Sequence, residues 1–451
     1  MRRSRFVAMC TTLAVLAGGG AAYVVTRPAA APIPSSRAAP VPTRPDVLPV
    51  LAGTATPSVP GLRATLRNAL RDPAFGGSIA GVVVDAATGA TLFGRAARAA
   101  VRPASTLKLL TAVSALHVLG PGARLTTRVV RAGSTLFLVG GGDVTLAARR
   151  RPAPASYPPP ATMPDLAQRV AAALAGTTRV RLRYDSSAWT GPASAPGWNA
   201  GYFTAGDVSR LSALEVDEGR LRPDQHARVP DPAAQAAAVF ARALRRSGVT
   251  VVGPARPATA PPTAGVVAAV DSAPVAALVQ QMLTVSDNDL AEALGRALAV
   301  RLGQPASFAG EAAALTTALR RLGVPLAGVR LVDASGLSRA DRVTAATLAA
   351  VLRLVIRDEA TFGPVSAGLP VAGFTGTLAD RYRRPPARAA AGLVRAKTGT
   401  LAGVSTLAGQ VVDADGRLLV FAFLSNHAPA PTAAEAALDR LAARLAQCGC
   451  A

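Results

Sequence analysis

Pro103-Ala104-Ser105-Thr106-Leu107-Lys108-Leu109-Leu110 is the stretch that decides the reading of this chain. The apolar run that follows it continues to Gly120-Pro121, so the sequence predicts a helix that begins near Ala104 and stops at that Gly-Pro. Ser105 and Lys108 then lie one turn apart on the same face, with Ser105 near the helix start. A serine hydroxyl becomes a nucleophile when a base sits within hydrogen-bond reach, and the N–H groups at a helix start suit a developing oxyanion. Lysine serves as that base only if its neutral form is made accessible, by burial or by a second cation nearby.

Composition sharpens the point. Of 49 Lys and Arg residues, only Lys108 and Lys397 are lysine. Wherever a plain positive charge suffices, the sequence uses Arg, which practically never gives up its proton. Lys397 opens Lys397-Thr398-Gly399-Thr400, at the end of a segment (392–400) that reads as a strand, and it is the candidate second cation. Between the two lysines lies Ser286-Asp287-Asn288. Ser-x-x-Lys, Ser-Asp-Asn and Lys-Thr-Gly each occur once, in that order. This is the set used by penicillin-binding proteins and class A β-lactamases.

With these motifs the chain resembles the D-Ala-D-Ala carboxypeptidase/endopeptidase family of low-molecular-mass class C penicillin-binding proteins, peptidase family S13. The resemblance runs from about Gly61 to Ala446. It also rests on Leu138–Asp143 (LVGGGD), Ser212–Gly219 (SALEVDEG), Asp333–Arg339 (DASGLSR) and Leu369–Gly373 (LPVAG). The family usually has Pro where Val144 stands and Gly where Ala334 stands. The glycines of these accessory stretches favour a role in turns over substrate contact. The resemblance implies that Ser105 is acylated by the penultimate D-Ala, with Lys108 as base. Ser286 beside Lys397 would relay a proton to the leaving nitrogen, and Asn288 would hold the substrate amide. Thr398 and Thr400 would meet the terminal carboxylate, with Gly399 between them and Lys397 behind. The N–H groups of Ser105 and Thr400 would form the oxyanion hole, while Asp287 would be structural. No cofactor or metal is implied, and peptidoglycan peptides and β-lactams are the expected partners.

The coarse structure can be read independently. Gly61–Arg71 reads as a short helix. Ser78–Asp85 and Thr91–Gly94 read as strands joined by Ala86-Ala87-Thr88-Gly89. Leu393–Lys397, Gly403–Val412 and Leu418–Ser425 read as three more, with Ala433–Ala446 as a closing helix. Two early and three late strands can make one antiparallel sheet flanked by helices. That is an α/β (α+β) fold of the serine β-lactamase/penicillin-binding transpeptidase-like kind, as the resemblance implies. Pro274–Leu302, Ser307–Leu322 and Ala345–Arg357 would supply a helical lobe. The expected catalytic domain is discontinuous, 61–123 and 263–447. Residues 124–262 form an inserted domain of alternating short strands and helices: Leu125–Arg131, Ser134–Gly140, Asp165–Leu174, Val180–Asp185 and Ala233–Ser247.

At the N-terminus, Arg2, Arg3 and Arg5 precede an uncharged run from Phe6 to Thr26. Residues 1–26 therefore read as a signal peptide cleaved near Ala22, or as an uncleaved membrane anchor. Residues 27–60 read as a Pro/Ala-rich linker. The expected location is extracytoplasmic, in the cell wall or on the outer face of the membrane. Cys448 and Cys450 read as a frayed tail, since a bridge between residues so close would staple little. His117, His226 and His427 are isolated and show no metal-ligand spacing. The formal charge of +23 does not argue for nucleic acid: the basic residues are spread along the chain and aromatics make up only 4%. A basic exported protein would meet anionic wall polymers or lipid headgroups instead. Two rival readings share the fold. A β-lactamase needs a Glu and an Asn on a loop between the second and third motifs, and the interval has Glu292, Glu311 and Glu359 but no asparagine after Asn288. A non-catalytic wall-binding scaffold would not keep nucleophile, base and third-motif lysine together.

Overall fold

The computed structural model describes residues 55–150 and 157–450. The expected export segment, and the linker up to Thr54, lie outside the described residues. No helix among the described residues is long and apolar enough to cross a membrane.

The first sheet has five antiparallel strands in the order Thr91–Arg95, Ile79–Asp85, Leu418–Ser425, Val404–Val412, Val394–Leu401. The hairpin joining the first two is closed by Asp85, whose carboxylate accepts the Thr88 N–H at 2.7 Å. Alternate residues of each strand face opposite sides. Val82, Val84, Ala408, Val420, Ala422 and Leu424 pack against a helical lobe that includes Lys108–Leu119, Val275–Val285 and Ala345–Arg357. Ile79, Val83, Leu407, Leu419, Phe421 and Phe423 pack against the helices Val59–Arg67 and Pro431–Ala446. Both faces are covered, which is why Leu418–Ser425 is apolar throughout most of its length instead of alternating.

A second sheet runs in the order Thr250–Val251, Arg179–Asp185, Thr135–Val139, Thr126–Ala132, Gly265–Asp271, with Arg256–Pro257 also paired to Arg179–Asp185. The helices Met163–Ala173 and Pro232–Arg246 bury their apolar stripes against it. Its last strand, Gly265–Asp271, extends past the boundary expected at 262 because it pairs with Thr126–Ala132. Residues 186–231 contain little regular structure and fold back onto the helical lobe: Trp198 Nε1 donates to Asp333 at 2.8 Å and Ser209 N to Asp289 at 2.8 Å.

Three sequence expectations need correction. Pro274–Leu302 is two helices, Val275–Val285 and Asn288–Arg301, divided at Ser286, which takes a left-handed conformation (φ 60°). Asp287 accepts the Leu290 N–H and caps the second helix, a signal that its sequence position already carried. The C-terminal tail is docked rather than frayed. Cys448 and Cys450 are bonded, Cys448 is buried, and the Cys450 carbonyl accepts both N–H and O–H of Ser58 at the start of the first helix. The helix Glu359–Gly368 was not expected; its Gly and Pro content hides it from propensity.

Gly409 faces Ala396 across the two strands nearest the third motif, and a Cβ there would lie 2.1 Å from the Arg395 carbonyl oxygen. Gly409→Ala is expected to cost about 1–3 kcal/mol of unfolding free energy, as overpacking does, measured by denaturant titration. Gly77→Ala, where no atom lies within 4 Å of the added carbon, gives the size of backbone strain alone.

Candidate active site

Ser105, the candidate nucleophile, sits in a turn that tertiary contacts hold in place. Ala104 has φ 47°, a conformation that costs a non-glycine residue energy and has to be stabilised from outside. The Pro103 carbonyl accepts the hydroxyls of Thr106 (2.7 Å) and Thr406 (2.8 Å), tying the turn to the sheet. Gly336 packs so closely beneath it that a Cβ would lie 2.0 Å from the Ala104 oxygen. The predicted helix begins as a tighter 3₁₀ turn, Ala104–Leu107, and continues as Lys108–Leu119.

Lys108 has no exposed surface and touches three segments. Its Nζ lies 3.0 Å from Ser105 Oγ, 2.6 Å from Asn288 Oδ1 and 2.8 Å from the Ser335 carbonyl. A neutral amine has two N–H donors and one lone pair. Asn288 and Ser335 take the donors, which leaves the lone pair for the Ser105 hydroxyl proton. Burial lowers the Lys108 pKa to about 8, against the opposing pull of Asp333 and Glu292. Lys397 is equally buried; its Nζ donates to Ser286 Oγ and to the Thr398 carbonyl, both at 2.9 Å. Burial, then the Lys108 charge, then Arg381 hold Lys397 well below the usual lysine range. The sequence reading offered burial, or Lys397 as a second cation, as what makes the neutral form of Lys108 accessible. In the structure burial is the first cause for both lysines, and each charge disfavours the other.

The third motif lies on the sheet's edge strand, Val394–Leu401. Ala396 N donates outward, to the Pro370 carbonyl. The period of two then points the N–H groups of Thr398 and Thr400 to the same open edge, where Thr400 can serve an oxyanion. Gly399 is required by close approach. A Cβ there would lie 2.3 Å from Thr406 Oγ1 and 2.9 Å from Ser105 N.

Ser105, Ser286, Thr377, Arg381, Thr398, Gly399, Thr400 and Glu435 line one open cavity of about 280 Å³. Every sequence-selected residue is therefore at or directly behind one site. Asn288 lies behind it, with Oδ1 on Lys108 and Nδ2 donating to the Asp207 carbonyl at 2.8 Å. The sequence reading missed Thr377, Arg381, Glu435 and the Ser335 and Asp207 carbonyls. Thr377 shares a 2.7 Å hydrogen bond with Thr398, and Thr400 donates to Glu435 at 2.6 Å. Arg381 grips Asp439 through Nε and Nη2, while Nη1 has no partner among the described residues. Its position, 16 residues before Lys397 and among many other arginines, carried no local signal. The accessory glycine stretch Asp333–Arg339 is a turn, as read, and it also supplies the Ser335 carbonyl.

None of the glutamates between the second and third motifs lines this cavity. Glu292 is buried behind it, accepting the Ser335 N–H at 2.9 Å, and is pushed up to about 7 by burial and then by Asp333.

A serine bonded to a buried lysine, with a second serine-lysine pair facing an edge strand, is the arrangement of the penicillin-binding class of serine enzymes. The profile of the D-Ala-D-Ala carboxypeptidase 3 (S13) family, a family of serine peptidases, matches residues 62–228 and 222–445. Carboxypeptidase DacB of Mycolicibacterium smegmatis is 40% identical over 418 residues, covering 91% of this chain and 89% of that one. The D-alanyl-D-alanine carboxypeptidase of an Actinomadura species is 32% identical over 490 residues, covering 88% and 87%. Penicillin-binding protein 4 (DacB) of Haemophilus influenzae superposes with a TM-score of 0.67 at 22% identity, covering 82% of this chain and 95% of that one. That protein has also been solved with a novel β-lactam. The chain belongs to the S13 family.

If Lys108 is the base, acylation needs its unprotonated form. The rate constant for penicillin labelling should rise with pH and level off above an inflection near 8, read from labelling time courses across the neutral-to-alkaline range. Lys108→Arg should lose roughly 10²–10⁴-fold and show no such inflection.

Proposed function

We propose that this protein hydrolyses the terminal D-Ala-D-Ala bond of peptidoglycan stem peptides, and the equivalent bond in crosslinks, through an acyl-enzyme on Ser105. The observation that carries the reading is the three-way contact of Lys108 with Ser105, Asn288 and the Ser335 carbonyl. Lys108 takes the Ser105 proton as Oγ bonds to the carbonyl carbon. The oxyanion faces the Ser105 and Thr400 N–H groups. As the C–N bond breaks, Ser286 gives its proton to the leaving nitrogen and is reprotonated through Lys397. Water then attacks the ester, passing a proton through Ser286 back to Lys397, and Lys108 returns its proton to Ser105 Oγ as the acid leaves.

The leaving residue carries a carboxylate. Lys397 is buried with its donors committed to Ser286 and the Thr398 carbonyl. The cation lining the cavity is Arg381, beside the Thr377–Thr398 hydroxyl pair. Arg381 and Thr398 therefore hold that carboxylate, while the Thr400 hydroxyl turns to it only by leaving Glu435. A β-lactam carboxylate takes the same place, and its acyl group stays on Ser105 because no glutamate between the second and third motifs reaches the cavity. The substrate lies outside the cytoplasmic membrane, and the basic start and uncharged run from Phe6 to Thr26 direct or anchor the chain there.

One preparation tests the reading. It should release D-Ala steadily from a D-Ala-D-Ala peptide while binding penicillin stoichiometrically for minutes or longer, and Ser105→Ala should abolish both. Fast turnover of a chromogenic cephalosporin with no D-Ala release would overturn it.

Replacing Arg381 with Gln should lower kcat/KM for the free-acid peptide by about 10- to 100-fold, the worth of a hydrogen bond to a charged group. Turnover of the same peptide as its C-terminal amide should change far less. Equal losses on both peptides would remove Arg381 from the carboxylate site.

A further inference from the structure

The second motif is held from outside the catalytic part of the chain, by the segment that returns from the second sheet. Asp217, Glu218 and Gly219 all have positive φ (49°, 56° and 65°). For two of them the conformation costs energy and persists only because surrounding contacts enforce it. The turn drives the Glu218 carboxylate against Asp287, the middle residue of Ser286-Asp287-Asn288. Carboxylate oxygens of Glu218, Asp287 and Asp289 lie within 4.8 Å of one another.

A divalent cation is one way to hold three acids together, but here guanidinium groups do it. Arg220 pairs with Glu218 at 2.6 Å, and Arg228 pairs with Asp289 at 3.0 Å and Glu218 at 3.5 Å. Glu215 is a fourth acid in the group, bonded to Ser209 and Ser212. Four carboxyls against two arginines leave two charges unmatched unless protons are retained. Burial, then Glu218, then Asp289 push Asp287 well above the usual carboxylate range, and burial, then Asp289, push Glu215 up likewise. Burial opposes ionisation of Glu218 too, but Arg220, the Asp287 hydroxyl and Arg228 together outweigh it and hold Glu218 below the usual range. Asp287 Oδ1 already accepts the Leu290 N–H, while its buried Oδ2 has no donor from the protein. A proton on Asp287, donated to Glu218, satisfies both groups.

The consequence falls on the two reacting residues that flank Asp287. Ser286 is the left-handed residue (φ 60°) that ends one helix, and Asn288 begins the next. The same returning segment fixes Asn288 through the Asp207 carbonyl and Asp289 through Ser209 N. We propose that residues 207–229 of the inserted region form an outer wall of the catalytic machinery, and that Glu218 is a positioning residue. Its hydrogen bond with Asp287 sets Ser286 against Lys397, while the Asp207 carbonyl holds Asn288.

Ser286 is needed to protonate an amide leaving group, whereas a thiolate leaves without a proton. The test therefore compares two substrates of the full-length enzyme with the same acyl part, a D-Ala-D-Ala peptide and the matching thioester. The inference rests on the acyl-transfer reading, and wild-type turnover of the thioester together with penicillin labelling establishes that reading separately. Glu218→Ala should lower kcat on the amide by at least about tenfold, a part of what proton transfer contributes. The loss on the thioester should stay within about threefold, with KM for both little changed. Asp287→Asn, which keeps an N–H donor towards Glu218 and a carbonyl for Leu290 N, should retain the wild-type amide-to-thioester ratio. Asp287→Ala removes the bond from the other side and should reproduce the Glu218→Ala ratio, which covers the case in which Glu218→Ala does not fold. A parallel fall on both substrates, or a wild-type ratio in Asp287→Ala, would overturn the proposal.

Discussion

A lysine with no exposed surface is the constraint on which the site depends. Burying an ammonium group is costly unless its donors are matched, and the cost is also what brings its neutral form within reach of physiological pH. Lys108 meets that condition by drawing three separate pieces of chain to one nitrogen: its own turn through Ser105, the break between two helices through Asn288, and the Asp333–Gly336 turn through the Ser335 carbonyl. Loss of any one would leave a buried donor unmatched or let water in. The helical lobe is organised so that these pieces converge.

Lys397 makes the matching demand from the sheet side. It places a second buried amine behind the edge strand and ties that strand to Ser286. The cavity thus lies on the seam between sheet and lobe, and the two lysines, each from one side, clamp the helix break between them. Two buried amines near one another disfavour each other's charge, so their titration is a property of the pair.

The inserted region takes part in this economy of charge. Its second sheet folds around its own core, but its returning segment carries arginines and carboxyls into the back of the second motif. A purely peripheral domain would have no reason to keep a strained turn at Asp217–Glu218 or to commit two half-buried arginines there.

Much of this was legible in the sequence. The strands of the first sheet, the helix that carries Lys108 and the helices Phe308–Arg321 and Ala345–Arg357 follow from apolar periodicity and turn residues, which act over a few positions and need no tertiary knowledge. The bias against lysine made Lys108 and Lys397 stand out, and the spacing of Ser105 from Lys108 is one helical turn whatever the rest of the chain does. The class of chemistry could be read from those residues alone. Tertiary structure decided the rest. Nothing local marks Arg381 as the cation in the cavity, or Glu218 as the neighbour of Asp287 from 69 positions away. Nor could the sequence show how completely Lys108 is buried, which lowers its pKa to about 8. Those properties come from desolvation and from contacts between distant segments, and both exist only once the chain has closed around the site.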